Sequence, residues 1–276
     1  MRQRAVALLR RSPLVIIGLV VLLGWLLITL FAGQLAPFEP LAQNVNLRLQ
    51  APGDVYRFGT DELGRDIFSR VLYGSRLTIP AGIAVVVIGS IIGLLVGSVA
   101  GFVGGLWDEL LMRLTELFMA FPTIILALAI TAALGPDLRN AIIALVVVWW
   151  PSYARLVRGL VMEMKSREFV EGVRAIGGSE TYILFRTVLP NCLSPALVLA
   201  TLDIGSAILT FAGLSFLGLG ADPASPEWGR MVSIGIDFFG QWWMWLFPGV
   251  AIASLVMAFN FIGDGLRDLL DPRMRR

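Results

Sequence analysis

The chain has no histidine, one cysteine and one lysine among its 276 residues. Without histidine, neither a His-ligated zinc site nor a Ser-His-Asp triad can form within it. The lone Cys192 leaves no internal disulfide and no cysteine cluster. Lys165 follows Met164, so no Gly-Lys pair exists and a phosphate-binding Walker A loop is excluded. Charge is scarce too, at 15% of residues, where soluble domains carry roughly 25%. Hydrophobic residues make up 57% instead. Folded in water, that composition would leave apolar surface uncovered, so an integral membrane protein is expected. The net charge of +2 is too small to point to nucleic acid.

A bilayer core of about 30 Å needs roughly 20 apolar residues per helix. Uncharged runs cover 12–38, 77–107, 117–136, 140–154 (extended to about Val161), 187–221 with Asp203 inside it, and 238–263. The expected fold is an all-α integral membrane protein with six transmembrane helices. It divides into an N-terminal stretch with the first helix (1–36), an outward-facing loop (37–76), a five-helix core (77–264) and a cytoplasmic tail (265–276). Six spans put both termini on one side. With the N-terminus inside, 15 basic residues face the cytoplasm, among them Arg2, Arg4, Arg10, Arg11, Arg273, Arg275 and Arg276, and seven face outward. That asymmetry follows the positive-inside rule. The first apolar run is too long for an ordinary signal-peptide core and is expected to stay as a helix. Trp242, Trp243 and Trp245 are expected to form an outer interfacial belt.

Between the fourth and fifth spans, residues 163–190 read as two short helices. Ser166 is placed to cap the first, and Phe169, Val173 and Ile176 share one face. Gly177-Gly178 supplies a turn, Ser179 caps the second helix with Glu180 in its first turn, and Leu189-Pro190 ends it. Such a hairpin docks into a groove on a partner, or packs on its own helices or lipid headgroups.

Here the sequence resembles a known family. Glu171-Gly172-Val173, Gly177 and Leu189-Pro190 match the spacing of the EAA loop of ATP-binding-cassette importer permeases, with Gly172 and Val173 replacing its two alanines and Thr187 at an isoleucine position. Residues 59–66, 69–70, 73–76, 153–159, 214–220 and 263–268 are similar to the C-type chains of the dipeptide, oligopeptide and nickel permease family. Phe211 stands where members often carry an acidic residue.

The resemblance implies one half of an ATP-driven importer in a bacterial or archaeal cytoplasmic membrane. Its partners would be a B-type permease chain, two ABC ATPase subunits that bind ATP and magnesium, an extracytoplasmic solute-binding protein and the bilayer. The cargo would be di- or oligopeptides, with nickel chelates or glutathione as alternatives. The chain itself would hold no cofactor or metal and catalyse nothing. Residues 163–190 would form the coupling helix: Glu171 pairs with cationic groups of the ATPase, Gly177 turns the chain, and Phe169 and Ile176 fill the groove. Glu168, Arg174, Leu189 and Pro190 complete that set.

Asp203 lies midway along the fifth span, where a carboxylate marks a transport pathway or makes a static hydrogen bond to a neighbouring helix. Asp61, Arg65 and Asp66, with Pro226 and Trp228, are candidate contacts for the binding protein on the outer side. The charges of Asp61, Arg65, Asp66 and Arg70 alternatively hold a re-entrant or interfacial helix in place. Arg113 and Glu116 are spaced for a local pair, and Arg155 and Arg158 for anchoring at the inner interface. A membrane-embedded enzyme and an independent channel or secondary transporter are the rival classes; copurifying ATPase subunits separate the importer from both.

Overall fold

A computed structural model describes residues 12–270. The basic residues expected at the two termini, Arg2, Arg4, Arg10, Arg11, Arg273, Arg275 and Arg276, lie outside the described residues. Among the described residues ten α-helices follow in order, with a short 3-10 turn at Val45–Leu47: α1 (Pro13–Leu35), α2 (Ile67–Val103), α3 (Gly105–Met119), α4 (Thr123–Leu134), α5 (Leu138–Lys165), α6 (Glu168–Ala175), α7 (Glu180–Tyr182), α8 (Leu189–Phe216), α9 (Trp228–Asp237) and α10 (Trp243–Leu270). A π-helical turn, Ile183–Val188, joins α7 to α8 without a break. Four helices, α1, α2, α5 and α10, and the continuous 180–216 segment are each long and apolar enough to cross a membrane. The α3–α4 pair, bent by 87°, has together the length and apolarity of a sixth, as either a broken span or a re-entrant loop, so the candidate spans number five or six. Phe121 precedes Pro122 at that break, and the proline ring disfavours helical backbone in the residue before it.

Two of the departures from the uncharged runs bear on the sites below. Helix α2 begins at Ile67 rather than near Leu77, because Arg70 is buried and bonded instead of solvated. Asp66 caps it, accepting from the Ser69 N–H at 2.8 Å. The expected 107–116 turn is helical and belongs to α3, in which Arg113 approaches Glu109 rather than Glu116.

Helices α2 and α5 form the central pair. Gly89, Gly93, Gly97 and Gly101 repeat every fourth residue on α2 and turn one bare face to α5. A Cβ at Gly93 would lie 2.4 Å from the Tyr153 Cβ, and one at Gly97 2.4 Å from the Ala154 carbonyl oxygen. Small residues at this spacing let membrane helices approach closely, where apolar burial gives little driving force. Helix α1 packs on α10: Trp25 donates its indole N–H to Ser254 Oγ at 3.0 Å. Its other faces carry exposed leucines, as a lipid-facing helix requires.

Candidate functional site

Three places on this frame hold the residues that the sequence singles out: the 166–182 hairpin, the outer loops and a cavity beside Asp203. The hairpin grows from the end of α5, which is tied down on two sides. Arg158 forms a bidentate pair with Asp108, at 2.5 and 2.7 Å, and Lys165 donates to the Phe102 carbonyl. Helix α6 then buries Val170 completely, in a cluster with Phe102, Val157, Ile183 and Val188. Val173 packs beside it, one turn on. Gly177 takes φ +87° and reverses the chain, with its N–H on the Arg174 carbonyl and that of Gly178 on the Val173 carbonyl. Ser179 caps α7, accepting from the Tyr182 N–H at 3.2 Å. Arg174 crosses the hairpin to Glu180 through two bonds of 2.9 and 3.1 Å.

What the hairpin leaves uncovered is as specific as what it buries. Phe169 is exposed, and Ile176 at the tip is 85% exposed. Glu168 and Glu171 also face outward, and nothing lies within 4 Å of where a Gly172 Cβ would stand. Two local expectations are corrected. Ser166 does not cap α6; it ends α5, donating its hydroxyl to the Glu163 carbonyl. The face buried against the chain's own helices belongs to Val170 with Val173 beside it, which leaves Phe169 and Ile176 of the expected apolar set uncovered. Leu189-Pro190 does not stop the second helix either. Pro190 lies just past the π-helical turn, where the backbone ladder is already shifted, and the chain runs on as helix to Phe216.

The outer loops pack against each other. Arg65 holds Asp61 at 2.6 Å and Glu62 at 2.9 Å, while Arg70 lies 3.5 Å from Asp61. Arg70 also donates to the carbonyls of Pro40, Ala224 and Ser225 at 3.1–3.2 Å. These bonds clamp the 37–66 loop onto the 222–226 loop. Glu227 caps α9 from a fully buried position, accepting from the N–H groups of Gly229 and Arg230 and from Thr78 Oγ1. Burial pushes its carboxyl above the ordinary glutamate range, and the same cause raises Glu62 with Asp61 adding to it. Trp228 is buried and donates to the Val71 carbonyl; Trp243 is buried and donates to that of Thr60. Asp61, Arg65, Asp66 and Trp228 are therefore internal braces whose side chains cannot meet a docking protein, and of the five expected contacts only Pro226 is partly accessible. The alternative reading of these charges, as a local clamp, fits the geometry. Of the tryptophan belt, Trp242 is exposed and Trp243 is core.

The third place is a cavity of about 250 Å³ at the bend between α3 and α4. Phe118, Phe121 and Thr123 flank the break, Trp149 and Pro151 come from α5, and Leu199 and Asp203 from α8. Asp203 Oδ2 accepts from Tyr153 Oη at 2.8 Å and from Trp149 Nε1 at 3.3 Å. Trp149 and Tyr153 are one turn apart on α5, so both reach the same carboxylate. Sequence reasoning singled out Asp203 and missed these two donors; their i, i+4 spacing opposite an intramembrane aspartate was the available signal.

The chain matches a family model described as binding-protein-dependent transport system inner membrane component over residues 89–276. The chain belongs to that family. A second model, the N-terminal transmembrane domain of oligopeptide transport permease C, matches residues 1–52. Among curated relatives, the dipeptide transport system permease protein DppC of Alkalihalophilus pseudofirmus is 43% identical, covering 97% of this chain and 88% of the relative. The probable D,D-dipeptide transport system permease protein DdpC of Escherichia coli is also 43% identical, over 98% of this chain and 91% of its own. So is the glutathione transport system permease protein GsiD of an Escherichia coli strain, over 96% and 88%. In fold, the chain is similar to the inward-facing MetNI methionine ABC transporter, with a TM-score of 0.60 at 23% identity, covering 74% of this chain and 98% of that one. As a family member, this chain is a multi-pass permease component and leaves ATP hydrolysis to other subunits.

Proposed function

We propose that the chain is one permease half of an ATP-driven importer of short peptides, and that the 166–182 hairpin receives the work of a partner ATPase. The observation that carries the reading is the hairpin itself: rigidly rooted through Val170, Arg158 and Lys165, yet presenting Phe169, Glu171 and Ile176 to the outside. A second, B-type permease chain would complete the pathway, and two ATPases with ATP and magnesium would close beneath it. Closure biases the membrane equilibrium only because ATP binds the closed ATPase pair more tightly than the open one. The excess of basic residues on the hairpin side supports a cytoplasmic hairpin with both termini inside. In this reading Glu171 pairs with ATPase cations, Phe169 and Ile176 fill the groove, and Glu168 flanks them; Arg174 stiffens the hairpin through Glu180, and Leu189 and Pro190 pass its motion to α8.

Material copurified on this chain from its native host provides the test. ATP hydrolysis that follows the wild type and falls at least tenfold in Glu171→Arg, with the variant still inserted, is the expected result. Stable wild-type protein with no accompanying ATPase contradicts the importer reading. Peptide is favoured as cargo by the relatives named for dipeptides, while the equally similar GsiD favours glutathione as the second reading. Uptake of a labelled dipeptide that excess glutathione does not suppress decides for the first; suppression decides for the second.

A further inference from the structure

Asp203 is the one charged side chain among the described residues that line the 250 Å³ cavity, and it makes no ion pair among them. An ionised carboxylate inside a membrane protein is costly unless it is paired or hydrogen-bonded. Here both hydrogen bonds fall on one oxygen, Oδ2, from the neutral donors Tyr153 and Trp149. Oδ1 accepts nothing from the described residues, and Asp203 is only half-buried. The carboxylate is thus oriented and half-satisfied, with its second oxygen left for something that enters. Phe118, Phe121 and Trp149 line the same cavity, aromatic rings of the kind that attract cations, and no Lys or Arg is among the lining residues. Oriented acceptor, aromatic wall and missing counter-charge together describe a receptor for a small organic cation.

We propose that Asp203, held by Tyr153 and Trp149, is a transient binding site for the ammonium group of the transported solute, which for a peptide is its free α-amino terminus. This deepens the importer reading and rests on it. A static brace would need no cavity beside its free oxygen. A site that holds the ammonium through one carboxylate oxygen beside aromatic side chains leaves it free to depart, as a pathway requires.

The test uses the purified complex in lipid nanodiscs without the solute-binding protein, so that the permease alone discriminates. Equilibrium binding of alanyl-phenylalanine is compared with that of N-acetyl-alanyl-phenylalanine, which has the same side chains and no ammonium. The wild type is expected to favour the free peptide at least tenfold, Asp203→Asn to lose that preference, and Asp203→Glu to keep much of it. Tyr153→Phe, which leaves the carboxylate and removes one donor, is expected to weaken the preference severalfold. Equal wild-type affinity for both peptides, no measurable affinity for either, or full discrimination in a folded Asp203→Asn complex would overturn the site. Binding-protein-stimulated ATP hydrolysis is measured on the same samples: its absence from the wild type counts against the importer reading, whereas normal hydrolysis without discrimination counts against Asp203 alone.

Discussion

The outer clamp and the 166–182 hairpin are both short, charge-rich segments between apolar helices, and they use their charges in opposite ways. In the clamp, Asp61, Arg65, Asp66, Arg70 and Glu227 are buried, and every one bonds to another part of the same chain. In the hairpin, Glu168, Glu171, Arg174 and Glu180 are exposed, and one ion pair, Arg174 with Glu180, joins the two arms. A motif of charged residues therefore says little about docking until its burial is known. The same residue types brace one end of this molecule and offer a surface at the other.

Removing a charge should separate the two regions most sharply. Arg70→Ala strips a buried cation from Asp61 and three carbonyls, and breaking such a pair costs about 3–5 kcal/mol. Detergent-extracted Arg70→Ala should unfold at markedly lower temperature or fail to accumulate; a melting temperature equal to the wild type would dissolve the contrast. The clamp should also respond to pH. Because Glu227 titrates above its ordinary value in the folded chain, it contributes stability that is present below about pH 4.5 and lost as pH rises through the folded pKa. Glu227→Gln should flatten a stability–pH profile over that window, leaving the smaller slope in the same direction that Glu62 supplies. The hairpin should barely notice an equivalent change: Arg174→Ala removes an exposed pair worth about 0–1 kcal/mol. A thermal scan of Arg174→Ala should overlay the wild type, and a large drop would make the hairpin a second brace.

Much of the architecture is legible from composition and run length, because a membrane forces apolar stretches to become helices. The clamp was hidden for a definite reason: charged residues ordinarily end a span, so the uncharged run began at Leu77 while the helix begins ten residues earlier, over a buried Arg70. The bend at 120–122 was obscured in the same way, since hydropathy does not register a change of direction. The hairpin was legible at Gly177 and Ser179, where conformation is local. The burial of Val170 is a tertiary fact that the sequence of the hairpin alone does not carry. The glycine repeat on α2 follows a readable four-residue spacing, but its partner face on α5 is a tertiary fact. Asp203 stood out as an isolated charge, while its donors came from a helix fifty residues earlier in the chain.

The central claim is that the exposed tip of the hairpin is covered by a partner ATPase, and Ile176 offers the direct measurement. The native Cys192 is buried, so an Ile176→Cys chain carries one accessible thiol. Maleimide labelling of Ile176→Cys is compared in the assembled complex and after the ATPase has been stripped from the membranes. Protection of at least tenfold in the assembled complex, relieved by stripping, is the predicted result. Equal labelling in both states, in a complex that still hydrolyses ATP, would contradict it.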